Sequence, residues 1–167
     1  AIERFQLLVK NFPQSHMARR AANEIGLLYY QDDKYPEAIA AYKDVIKNYP
    51  GSEEARLAQR DLKSIYIDLN KVDEYADFAS TIPGGANFDV NERDSLTYVA
   101  AERVYMRGEN VEARNSFVKY LQTFPEGAFS LNANYYIGLI DYNQQNYESA
   151  SAHLNKVLEY PDNKYSE

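Results

Sequence analysis

Positions 1, 38, 75, 113 and 150 fall at steps of 37, 37, 38 and 37 residues, and four of the five hold alanine: Ala1, Ala38, Ala113 and Ala150, with Tyr75 the exception. Their surroundings recur with them. Aromatic–proline pairs follow at Phe12-Pro13, Tyr49-Pro50, Phe124-Pro125 and Tyr160-Pro161, and Ile25-Gly26 returns as Ile137-Gly138 at an offset of 112. A fixed period of ~20–50 residues means that one supersecondary unit is stacked copy upon copy, because a single copy cannot bury its own apolar face. No other feature of the chain restricts its fold as much.

Ile25, Gly26 and Tyr29 share one face of a first helix, at spacings that bring them together. Asp32-Asp33-Lys34 breaks the apolar pattern and is expected to cap a second helix, with Tyr35, Ala38, Tyr42, Val45 and Ile46 on its inner face. Tyr49-Pro50 ends that helix, since the residue before proline is pushed out of the α region. Ser52-Glu53-Glu54 starts the next, a hydroxyl cap followed by acids at the positive end of the helix dipole. The copies read as 1–13 (a second helix alone), 15–50, 52–83, 91–125 and 127–161, forming a single array over 1–167. Copy 52–83 is degenerate, with Lys63 in the glycine slot, Tyr75 in the alanine slot and Pro83-Gly84-Gly85 stopping its second helix early. No segment alternates with period two, so the expectation is an all-α fold of about nine helices. Glycine inside a helix costs about 0.5–1 kcal/mol relative to alanine, so Gly26 and Gly138 in one register mark places where paired helices approach closely. Tyr29, Tyr35, Tyr42, Tyr66 and Tyr147 occupy the core slots.

The chain opens on Ala-Ile-Glu-Arg-Phe, already inside a periodic helix, and so reads as an excised piece of a longer protein. Ends cut in this way are expected to expose apolar side chains such as Ile2 and Phe5 and to favour self-association. Eighteen Lys and Arg against 25 Asp and Glu give a net charge of −7, which argues against nucleic acid and anionic membrane surfaces. No apolar run reaches the ~20 residues of a bilayer span. Without cysteine there is neither disulfide nor thiolate metal site.

Gly26…Tyr29…Tyr35…Ala38…Tyr42…Pro50 resembles the tetratricopeptide repeat, a family of small-residue-rich helix pairs ending in proline. The resemblance covers essentially the whole chain. It departs in the period, 37 against about 34 for the family, and in Asp141, which stands where Tyr29 and Tyr66 stand in other copies. The long period and the Pro-x-Ser restarts at Pro13-Gln14-Ser15 and Pro50-Gly51-Ser52 are similar to a bacterial envelope subset, of the Tol-Pal-associated cell-division coordinator and outer-membrane assembly lipoprotein type. The resemblance implies a right-handed α-α superhelix, a non-catalytic adaptor role, a protein or peptide partner and a periplasmic setting.

Nothing in the sequence makes a catalytic or metal constellation. His16 and His153 lack the spacing of a metal motif and are expected to be exposed and uninvolved. Pro83-Gly84-Gly85-Ala86-Asn87 lacks the lysine ending of a phosphate loop, and no cofactor is indicated. Tyrosine is the unusual signal, 16 of 167 residues with no tryptophan. In the resembled family the first helix of each pair lines a concave groove. Carried over by register, this implies a partner-binding surface of Tyr30, Tyr98, Tyr105, Tyr135 and Tyr142, beside Tyr136, with Asn23, Asn132 and Asn143 as hydrogen-bonding groups. Leu57 and Asp61 stand where a carboxylate-terminated peptide would need cations. A glycan-binding surface and an architectural spacer are the alternatives to a peptide groove.

Overall fold

A computed structural model describes residues 1–84 and 89–160. Among these residues there are nine α-helices and no strand. They are α1 (Ile2–Asn11), α2 (His16–Gln31), α3 (Tyr35–Asn48), α4 (Glu53–Asp68), α5 (Val72–Ala79), α6 (Val90–Met106), α7 (Asn110–Thr123), α8 (Ser130–Asn143) and α9 (Tyr147–Leu158). Gly85, Ala86, Asn87 and Pro161, which figure in the loop and helix-stop expectations, lie outside the described residues.

First helices start on side-chain caps where the sequence offers them. Ser15 Oγ accepts from Ala18 N at 3.0 Å, Ser52 Oγ from Ala55 N at 3.0 Å, and Asp89 Oδ1 from Glu92 N at 2.7 Å. Each cap satisfies a donor that has no partner within its helix. Second helices start differently. Lys34, at the N-cap of α3, makes no side-chain cap bond, which corrects the capping role expected of Asp32-Asp33-Lys34. Asp33 instead adopts a left-handed conformation, φ 57°, and the same conformation recurs at Asn70 (57°), Gly108 (80°) and Gln145 (63°). These four residues repeat the period inside the turns between paired helices. In three of the turns the next backbone N–H reaches back five residues: Lys34 to Tyr29 O (2.9 Å), Glu109 to Val104 O (3.3 Å) and Asn146 to Asp141 O (2.8 Å). This closure satisfies the last carbonyls of a helix and reverses the chain in few residues.

The chain forms two compact units, Ala1–Tyr66 with Asp73–Asn87, and Ile67–Val72 with Phe88–Glu167. In the first, α1 packs on α2 and α2 on α3, around buried Ala18, Ile25, Ala38, Tyr42, Val45 and Leu62. In the second, α6, α7, α8 and α9 pack in succession, around Val104, Phe117, Tyr120, Ile137 and Ile140. Several apolar expectations need correction. Ile2 and Phe5 are half-buried, while Leu7 and Phe12 on the same segment are 57% and 63% exposed. Tyr147, assigned to a core slot, is 58% exposed.

The glycine slots are close-packing points. A Cβ added at Gly26 would stand 2.6 Å from the ring of Tyr42, which is itself fully buried, and one at Gly138 would stand 2.6 Å from Leu154 Cγ. Gly26→Ala is therefore expected to destabilise the protein by about 1–3 kcal/mol, despite the ~1 kcal/mol that alanine gains in helix propensity. Exposed Gln31→Ala on the same helix should stay within about 0.5 kcal/mol. Urea unfolding midpoints of the two variants check the contrast, and equal shifts would remove the packing role of Gly26.

Candidate interaction surface

In the second unit, first helices α6 and α8 carry most of the tyrosines. Tyr105 lies 4.8 Å from Tyr136 between ring centroids, and Tyr135 lies 5.8 Å from Tyr136 at 65°. All three are half-buried. Tyr136 in turn stacks on core Phe117 at 5.1 Å, with rings 5° from parallel, and its hydroxyl donates to Glu102 Oε1 at 3.2 Å. The cluster thus stands on the core with its outer edges accessible, giving large, pre-set contact area with polar tips.

Tyr98 does not share this position. It is 4% exposed, stacks on Phe129 at 4.5 Å and donates to Glu102 Oε1 at 3.1 Å. Burial pushes its phenol well above the usual tyrosine range, with the Glu102 carboxylate reinforcing the effect. Its expected place in a binding surface is corrected to the core, which also engages Asn132, whose Nδ2 donates to the Tyr98 hydroxyl at 3.4 Å. Tyr142, 58% exposed, meets Tyr147 edge-on at 5.5 Å beside the α8–α9 turn. Asn143 is exposed next to it.

Tyr30 and Asn23 belong to the first unit. Tyr30 is half-buried, 6.1 Å from Tyr35. Asn23 lines a cleft of about 550 Å³ between α2, with Arg19, Arg20 and Glu24, and the start of α4, with Glu54 and Leu57. His16 lies at its mouth with a side chain 65% exposed, its Nε2 3.9 Å from a Glu54 carboxylate oxygen.

The second unit holds two buried polar networks that sequence reading did not assign. Asp141 is 1% exposed. Arg114 donates to both its oxygens, Nε to Oδ1 at 2.6 Å and Nη2 to Oδ2 at 3.0 Å, and Ser149 Oγ donates to Oδ2 at 2.5 Å. Hydrogen bonding from Arg114, aided by Ser149, holds the Asp141 carboxyl below its ordinary range against the opposing effect of burial. The one available signal was that Asp141 replaces Tyr29 and Tyr66 in register. Buried Asp94 accepts from the Tyr120 hydroxyl at 2.5 Å and from Ala128 N at 2.8 Å, while the same hydroxyl accepts from Phe129 N at 3.0 Å. This network ties the α7–α8 connection to the core, and Gly127 fits there because a Cβ would stand 2.4 Å from the Tyr120 hydroxyl. His153, expected to be exposed, is half-buried with Nδ1 2.9 Å from Asn134 Oδ1. Desolvation lowers its proton affinity, and Lys156 adds to the effect.

The Ser149 hydroxyl is engaged with a carboxylate and carries no nucleophile geometry. Among the described residues no group of three or more His, Cys, Asp or Glu is placed to hold a metal ion. No described helix is long and apolar enough to cross a membrane.

Residues 24–52 match the tetratricopeptide repeat family model. That segment covers the end of α2, all of α3 and the turn that follows, the copy with the clearest slots. No curated protein matches the sequence. Among solved structures the chain is similar to the RS-1 MamA ArsTM double mutant (13% identity, TM-score 0.41). It is also similar to MamA from residue 41 to its end from Desulfovibrio magneticus RS-1 (12% identity, TM-score 0.41). Each match covers 99% of this chain and 86% of the other.

Because removing one partner of a buried ion pair strands the other, Arg114→Met should destabilise the protein by about 3–5 kcal/mol at neutral pH. Asp141→Asn should cost less, since Arg114 is 29% exposed and reaches water. Folded Asp141 binds its proton more weakly than in the unfolded chain. Its stabilisation is therefore complete above the unfolded carboxylate range and lost as pH falls towards the folded value. His153, also depressed, withdraws stability as pH falls below the ordinary imidazole value of 6.5. Urea unfolding from pH 7 down to pH 3 should show wild-type stability falling with acid, and Asp141→Asn should flatten the lower part of that fall. A parallel profile for the variant would contradict the assignment.

Proposed function

We propose that this protein is a non-catalytic interaction scaffold, and that a segment of a partner protein lies along the faces of the first helices α6 and α8 of the second unit. A match to the tetratricopeptide repeat, a family of protein-binding modules, supports the general role. The observation that carries the finer reading is the half-buried cluster in which Tyr105 and Tyr135 rest against Tyr136, whose own ring is held by Phe117 and Glu102. Aromatic anchors held in one conformation lose little entropy on binding and commonly dominate interface energetics. Tyr142 with Asn143 at the end of α8 is a further contact point in this reading, and Tyr30 with Asn23 on α2 is a separate contact point within the first unit. Asn132 supports the surface through Tyr98 and need not touch the partner. An envelope setting accompanies the reading through the resemblance of the sequence to that subset.

The immobilised 167-residue chain captures the partner, whose binding segment is then titrated calorimetrically. Tyr135→Ala and Tyr105→Ala are expected to weaken binding by about 2 kcal/mol each, with thermal midpoints nearly unchanged. Tyr98→Ala should instead lose about 3–5 kcal/mol of folding stability. Normal binding by both surface variants would move the interface elsewhere, and binding of oligosaccharides with no protein captured would favour the glycan alternative.

A further inference from the structure

On the second-helix side of the first unit, an open cleft of about 360 Å³ lies between α1 and α3, with α2 as its floor. Val9, Ala22 and Ala40 make its surface largely apolar, and Glu37 and Asp44 of α3 stand exposed along it. Neither acid makes an ion pair among the described residues, and no Lys, Arg or His lines the cleft. The half-buried Tyr29 on the floor has a hydroxyl without a hydrogen-bond partner among the described residues. Apolar walls with a few convergent acceptors suit a group that has both an apolar stem and a positive head.

The second unit shows what fills this place in another copy of the repeat. At the offset of 112 that relates Ile25 to Ile137, Tyr29 corresponds to Asp141, Glu37 to Ser149, Ala22 to Asn134, Ala41 to His153 and Ile2 of α1 to Arg114 of α7. Those counterparts close on one another. Arg114 donates to Asp141 through Nε at 2.6 Å and to Ser149 through Nη2 at 3.3 Å, while His153 Nδ1 lies 2.9 Å from Asn134 Oδ1. In the first unit each of the filling side chains is replaced by an apolar one, at Ile2, Ala22 and Ala41. The acceptor slots persist as the Tyr29 hydroxyl and the Glu37 carboxylate, so the cleft has the surroundings of a guanidinium and no arginine of its own. From this comparison we infer that the cleft receives an arginine side chain from the surface of a partner protein. The arginine stem lies on Val9, Ala22 and Ala40, and its guanidinium donates to Glu37 and Tyr29. A planar fork of donors serves two acceptors at once, which a lysine ammonium does less well. Asp44 and the net charge of −7 favour the approach of a cation.

This surface uses none of the tyrosines of α6 and α8, so it stands or falls apart from the role proposed for them. The test uses the complete chain and acetylated, amidated alanine pentapeptides whose central residue is arginine, citrulline, lysine or norleucine. Binding is followed by amide NMR shifts of residues 22–29 and 37–45. The arginine peptide should bind at least about threefold more tightly than the citrulline peptide, which has the same shape without the charge, as a partly exposed ion pair requires. It should also bind more tightly than the lysine and norleucine peptides. Glu37→Gln should remove the preference for arginine over citrulline, whereas Glu148→Gln, which deletes the same charge outside the cleft, should keep it. Ala40→Leu should fill the cleft and abolish binding of all four peptides. Thermal melts within a few degrees of wild type show that each variant folds. Tyr135→Ala should leave the four affinities unchanged. Equal binding of the arginine and norleucine peptides would make the occupant purely apolar and overturn the inference. So would the absence of localised shifts at millimolar peptide, or an arginine preference that survives Glu37→Gln. If those outcomes occur while Tyr135→Ala still weakens the captured partner, the scaffold reading stands and the arginine cleft falls.

Discussion

The closeness of helices within a pair is the constraint on which the other features of this protein depend. At Gly26 the backbone of α2 lies against the ring of Tyr42 with no room for a methyl group, and at Gly138 α8 lies as close to Leu154 of α9. Close approach lets the second helix cover the first over its length, so short turns suffice to join them. Those turns take one residue each into the left-handed region, at Asp33, Asn70, Gly108 and Gln145. Only one of the four is glycine. Asp and Asn tolerate this conformation better than most residues, and the backbone closure to the preceding helix compensates where the side chain is less suited.

Copies of one repeat need not be stabilised by the same chemistry. In the first unit the second-helix tyrosine, Tyr42, is packed on glycine, and its hydroxyl donates to Asp61 at 3.3 Å. In the second unit two carboxylates enter the interior. Asp94 organises a connection by accepting from Tyr120 and Ala128, and Asp141 draws Arg114 and Ser149 onto α8. A buried ion pair of this kind adds little net stability over an apolar isostere, but it penalises arrangements that separate its members. It fixes α7, α8 and α9 in one mutual arrangement, which an apolar contact specifies less sharply.

A helix pair packed this way uses one face of each helix and leaves the other for contact. Tyr105 and Tyr135 show the consequence on α6 and α8, where both rings rest against Tyr136 and stay half-buried.

The period, the helix pairs and the glycine slots were legible in the sequence because they arise from local spacing: a 37-residue register and apolar residues at helical intervals survive any view of one copy alone. The helix ends at Tyr49 and Phe124 were legible for the same reason, each being set by the proline that follows. What the tertiary structure decided is which polar and aromatic side chains face inward. Tyr98 and Tyr105 lie on the same helix, seven residues apart, and the sequence does not distinguish them; Phe129, arriving from the α7–α8 connection, covers one and leaves the other half-open. Asp141 showed only as a break in register, since Arg114 lies 27 positions away and nothing local links them. His153 reads as a surface residue until Asn134 of the preceding helix meets it. Burial is a sum over neighbours distant in the chain, and a repeat pattern fixes the positions of helices more firmly than the identity of what covers each side chain.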